Sequence, residues 1–146
     1  MSFLDFTKDI RTMVVQAPTT GTNSTSMASQ TVDMQGFNSC AFVTTIEASS
    51  VLTTQAVWGS TSTTAGDFAI LNYNSSTVVT SQTSTSSKGC LITSVHRPAR
   101  RYLKLIVEST GVRPHGGTVA YLYNSMVKPT TNSSTDVHAS TTVVSS

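Results

Sequence analysis

The chain has 146 residues and a formal charge of +2, with only 11% Asp, Glu, Lys and Arg, against roughly 25% in an ordinary soluble domain; about a third of it is Ser or Thr. This length predicts one domain. The weak charge gives no basis for a nucleic-acid surface, and no run approaches the ~20 apolar residues of a membrane-spanning helix.

Residues 1–14 differ from the rest. Phe3, Leu4 or Phe6, Ile10, Met13 and Val14 fall near a three-to-four spacing, and Ser2 with Asp5 fits an N-cap and an acidic third position. This predicts a short helix or an ordered arm, either closing the chain's own core or docking on a neighbouring subunit. Strand patterning already begins at Arg11 and stops at Pro18. After a polar loop at 19–26, residues 27–34 alternate loosely and Gly36 ends them. Residues 40–48 form the strongest strand pattern, with Val43 and Thr45 on one face and Phe42, Thr44 and Ile46 on the other. Residues 55–60 carry the lone Trp58, and a hydroxyl-rich turn follows to Gly66 and Asp67. Short strands are expected at 68–73 and 76–81, then a loop at 81–87 and a strand at 89–95. Residues 101–108 and 117–124 alternate on either side of a Gly-rich connection and read as an antiparallel hairpin. From Lys128 the chain is again hydroxyl-rich.

Eight or nine short strands with turn signals about every ten residues predict an all-β fold, an antiparallel β-sandwich or jelly roll. The division is an arm at 1–14, a sandwich at 15–127 and an extended Ser/Thr-rich tail at 128–146. Cys40 and Cys90 lie in a chain whose opening lacks a secretory apolar stretch, which predicts two buried free thiols made in a reducing cytoplasm.

Chemistry is sparse. Asp33, Glu47, Asp67 and Glu108 are the acids outside the two ends, and nothing sets a pair of them across a cleft. No His-x-His, His-Glu-x-x-His or Cys-x-x-Cys spacing marks a metal site, and no Gly-x-Ser-x-Gly marks a nucleophile. The expectation is therefore no catalytic residue, no metal and no cofactor, although His96 with Asp67 could join a serine in space. The densest charge is His96-Arg-Pro-Ala-Arg-Arg-Tyr102. Arg97, Arg100 and Arg101 sit before a strand, either as a solvated sheet end or as a docking patch for an acidic partner.

The opening Leu4-Asp-Phe-Thr-Lys-Asp-Ile-Arg-Thr-Met-Val-Val15 with Ala17-Pro18, then Val32-Asp-Met-Gln-Gly-Phe37 and Arg100-Arg-Tyr-Leu-Lys-Leu-Ile-Val107, resembles a family of short virion proteins of tailed bacteriophages, the capsid decoration or cement proteins. The resemblance touches both ends of the domain and leaves its middle and tail uncovered. It implies a β-sandwich structural protein that clamps neighbouring major capsid subunits from the outer capsid surface. It also implies a homo-oligomer, a dimer or trimer, made in the bacterial cytoplasm; the mild charge and the lack of a long apolar run are what predict no nucleic-acid and no membrane partner. Phe3, Leu4, Phe6, Ile10, Arg97, Arg100 and Arg101 are the expected contact residues. The alternative is a carbohydrate-binding β-sandwich module of a phage tail or fibre, stacking sugars on Trp58, Tyr73, Tyr121 or Tyr123. Filling the core is the plainer role for those rings.

Overall fold

A computed structural model of the chain describes residues 9–18, 26–46, 53–73, 76–77, 79–82, 89–111 and 115–125. Its strands, in chain order, are β1 (Arg11–Gln16), β2 (Ser26–Ala28), β3 (Val32–Asp33), β4 (Phe37–Ile46), β5 (Thr53–Ser60), β6 (Ala69–Ile70), β7 (Asn72–Tyr73), β8 (Ser76–Thr77), β9 (Val79–Gln82), β10 (Gly89–His96), β11 (Tyr102–Ser109) and β12 (His115–Ser125). A 3-10 turn at Ala65–Asp67 interrupts them. The longer strands are rich in Val, Ile, Thr and aromatic residues, whose branched or flat side chains favour the pleated backbone.

Two antiparallel sheets form a β-sandwich. One has the order β1-β12-β4-β10; the other runs β2-β11-β5-β6, with β3 also on β11 and β9 also on β5. Period-2 alternation sends every second side chain between the sheets. Val15 of β1, Cys40 and Phe42 of β4, Val95 of β10, and Ala120 and Leu122 of β12 meet Val57 of β5 and Leu103, Leu105 and Val107 of β11. The core is polar in part. Thr44 and Thr118 bond to each other at 2.8 Å. Gln55 donates through Nε2 to Thr93 Oγ1 at 2.7 Å, tying β5 to β10 across the gap between sheets.

Several expectations change. The segments 101–108 and 117–124 do not form a hairpin: β11 pairs with β5, β2 and β3, whereas β12 pairs with β4 and β1. The chain crosses from one sheet to the other between them, so both apolar faces meet the same core from opposite sides. The strand expected from Arg11 is present as β1, and Ile10, just before it, is buried. Asp9 has helical backbone; residues 1–8 and the tail at 128–146 lie outside the described residues.

A bulge shapes β12. His115 faces Ile46 and Thr118 faces Thr44, so two glycines, Gly116 and Gly117, oppose Thr45 alone. Gly117 has φ +96°, and a Cβ there would sit 2.9 Å from the Gln16 carbonyl oxygen. Gly116 thus belongs to the strand and not to the connection the sequence predicts, and Gly117, expected to open the strand, lies inside it.

Candidate functional site

Two connections meet at one end of the sandwich. Met34 to Phe37 is a tight turn closed by Phe37 N–H donating to Met34 O at 2.9 Å. Gly36 takes φ +86°, the conformation a type II turn demands at its third position. The second connection, Arg97 to Arg101, joins β10 to β11. Pairing brings them together: His96 faces Ser39, and Tyr102 faces Asp33. Arg97 N–H donates to Asn38 O at 2.6 Å, and Met34 N–H donates to Arg101 O at 2.8 Å. Between them lies an open cleft of about 400 Å³, lined by both turns.

All three arginines of the basic cluster line this cleft, but they differ. Arg101 is held by its neighbours. Its Nε and Nη2 each donate to Asp33 at 2.8 Å, Nη2 also donates to Gln35 Oε1, and the guanidinium lies 5.0 Å from the centre of the Tyr102 ring. Asp33 accepts in addition from Gln35 N–H at 2.9 Å. The Arg101 guanidinium holds the Asp33 carboxyl below the usual carboxylate range. Arg97 is exposed and sits at φ +48°, which few non-glycine residues adopt. Arg100 is exposed, and its Cβ and Cγ lie against Gly59. A Cβ at Gly59 would stand 2.9 Å from Arg100 Cβ and 2.8 Å from Leu71 Cδ2. Arg101 thus braces the turn, while Arg97 and Arg100 offer charge to solvent.

The sequence does not point to Asp33, Gln35, Asn38 or Gly59 as parts of this site. Asp33 with Gly36 three residues on is a turn signature. Its bond to Arg101, 68 residues away, has no local signal. Of the remaining expected contact residues, Ile10 is buried within the chain at 6% exposure, and Phe3, Leu4 and Phe6 lie outside the described residues.

His96 Nδ1 lies 2.5 Å from Ser39 Oγ, and Asn124 Nδ2 donates to the same oxygen at 3.1 Å. Ser39 is fully buried, so no substrate reaches its hydroxyl in this arrangement. Asp67 accepts from Ser62 Oγ at 2.6 Å and makes no hydrogen bond to His96. No cluster of three or more His, Cys, Asp or Glu able to hold a metal occurs among the described residues.

The thiols also differ from expectation. Cys40 is buried and Cys90 is exposed, and both are free. Cys40 faces Val95 and Cys90 faces Thr45; five residues of strand, about 17 Å, separate their levels on the ladder, and they point to opposite faces. Burial pushes the Cys40 thiol up to about 12. Three of the four candidate rings do not fill the core as the plainer reading predicts, and the side chain of Tyr73 lies outside the described residues. Trp58 is half-buried at an outward position of β5, between Lys104 and Ile70. Tyr121 and Tyr123 alternate with core Ala120 and Leu122 and are half-buried on the outside of β12.

No family model matches the chain, and no curated protein does. Among solved structures, a chain described as "CBM4 structure and function" superposes with a TM-score of 0.40 at 9% identity, over 74% of this chain and 64% of that one. The dimeric latent PorU of Porphyromonas gingivalis gives a TM-score of 0.45 at 8% identity, over 88% of this chain and 13% of that one. The chain therefore spans less than two thirds of either.

Proposed function

We propose that this protein is a non-catalytic structural module that decorates a phage capsid, gripping neighbouring capsid subunits through the arginine end of its sandwich. The observation that carries the reading is the open cleft between residues 34–38 and 97–101. Arg97 and Arg100 line it from one turn that backbone bonds lock to the sheets, and Arg101 with Asp33 ties that turn to the one opposite. Forked guanidinium groups on a rigid support suit the carboxylates of a partner surface. The phage resemblance of the opening, of residues 32–37 and of residues 100–107 supplies the kind of partner. The last two of these segments border the cleft. The test is binding of the purified chain to capsid shells that lack it, with Arg97→Glu and Arg100→Glu together. The expected result is at least a tenfold loss of affinity, steeper at low salt. Undiminished binding by a folded double variant rejects the reading.

A second reading, a carbohydrate-binding module, is favoured by one observation: Trp58, Tyr121 and Tyr123 stand on the outward faces of the sheets. Aromatic rings at outward positions are the kind of group on which sugars stack. Binding on a glycan array that disappears in folded Trp58→Ala would favour this module over the capsid role.

A further inference from the structure

The outer face of the four-stranded sheet carries an apolar row from edge to edge. Val14 of β1 faces Val119 of β12, Val119 faces Val43 of β4, and Val43 faces Ile92 of β10. Their sequence neighbours Val15, Ala120 and Phe42 lie in the core, so these four point the other way. Val14 is 42% exposed and Ile92 54%; among the described residues they are the exposed large hydrophobic side chains. Both fall in this row, at its two ends. In isolation each would be ordinary; aligned across four strands with Tyr121 and Ala41 in the next row, they make a patch of the kind that marks an interface.

The charge distribution separates this face from its counterpart. No outward position on β1, β4, β10 or β12 is Asp, Glu, Lys or Arg, and His96, a titratable residue at an outward position of β10, lies four residues from Ile92 at the end of the strand. The outer face of the other sheet carries Lys104 and Glu108 on β11. Inward alternation explains apolar residues on the core side. It gives no reason for an uncharged face toward solvent, where antiparallel sheets ordinarily place polar and charged groups.

We propose that two copies of this chain meet here, sheet on sheet, about a twofold axis. An isologous contact sets a surface against itself. Any charge near the axis would then confront its own sign, and a face without charge avoids that cost. The dimensions fit a modest interface. Four strands at about 4.8 Å and eight residues at about 3.4 Å give about 500 Å² per copy, about 1,000 Å² in all, the lower bound of specific contacts. The association is therefore a reversible monomer–dimer equilibrium and not an obligate dimer. It gives a surface to the homo-oligomer that the phage resemblance implies, and it uses neither the arginine cleft nor binding to a capsid, so its test can fail without touching theirs.

The experiment is sedimentation of the full chain over a wide concentration range. The wild type should move from 15.5 kDa toward twice that mass. Val14→Lys and Ile92→Lys, both at exposed positions, should each weaken the dimer at least tenfold, with circular dichroism and melting showing that the fold persists. Lys104→Ala, on the other sheet, should leave the equilibrium unchanged. Cys90 lies on the same face two residues from Ile92, so its maleimide labelling should slow as the wild type dimerises and stay fast in Ile92→Lys. A wild type that is monomeric at every concentration overturns the proposal. So does a dimer that tolerates both lysines.

Discussion

At the residue scale, environment divides side chains of one type into different roles. Cys40 and Cys90 lie on neighbouring strands, yet one faces the core and the other faces solvent. At neutral pH the folded chain should give one fast-reacting thiol, Cys90, and two only after unfolding. Two fast thiols in the native state would refute the burial of Cys40. The folded Cys40 pKa, about 12, lies above its unfolded value. Its contribution is therefore complete below about pH 8.5 and is lost as pH rises from there toward 12. Melting of wild type and Cys40→Ala across that range should show the gap between them narrowing. Asp33 runs the opposite way. Its folded pKa is lowered by Arg101, so its stabilisation is present above about pH 4 and fades as pH falls. Asp33→Asn keeps an acceptor for Gln35 N–H but loses the charge. It should melt slightly below wild type at pH 7, and the difference should vanish in acid. Both partners are well exposed, so the effect at pH 7 is small.

At the element scale, β4 and β12 are joined by more than their ladder. Thr44 and Thr118 bond inside the sandwich, and both are almost wholly buried. Thr118→Val alone leaves the Thr44 hydroxyl buried without that bond and should cost about 1–3 kcal/mol; changing both to Val should recover most of it. A double-mutant cycle by urea denaturation reads the coupling directly. The bulge in β12 makes a separate demand. At Gly117 the positive φ and the Gln16 carbonyl at 2.9 Å leave no room for a side chain. Gly117→Ala should destabilise by about 1–3 kcal/mol, measured the same way. Two strands that look alike in sequence, Gly89–His96 and Tyr102–Ser109, end in different sheets on either side of the arginine turn. Arg97, in its left-handed conformation, sits where the chain leaves one sheet for the other.

At the scale of the whole molecule, stability rests on the apolar residues between the two sheets. Leu105 is fully buried among Val57, Leu103, Val107 and the facing strands, so Leu105→Ala should cost about 2–5 kcal/mol through the cavity it leaves. A loss below about 1 kcal/mol in chemical denaturation would mean the sandwich is loosely packed there. Much of this architecture is legible in the residues themselves. The alternation of Phe42, Thr44 and Ile46 against Val43 and Thr45 fixes which side of β4 is buried, because the pleat is local and has a period of two. Val, Thr and aromatic content fixes the all-β class, and the Arg97 to Arg101 cluster is visible as charge. What the chain could not announce is pairing. Leu103, Leu105 and Val107 show an inward face equally well whether β11 pairs with β12 or lies opposite it, so the expected hairpin and the observed crossing share one sequence pattern. The Asp33–Arg101 brace, the outward Trp58 and the apolar row from Val14 to Ile92 all follow from that choice of partners. Alternation depends on neighbouring residues along one strand. Partnership depends on how the whole chain closes around a shared core, and that is settled only when every strand is in place.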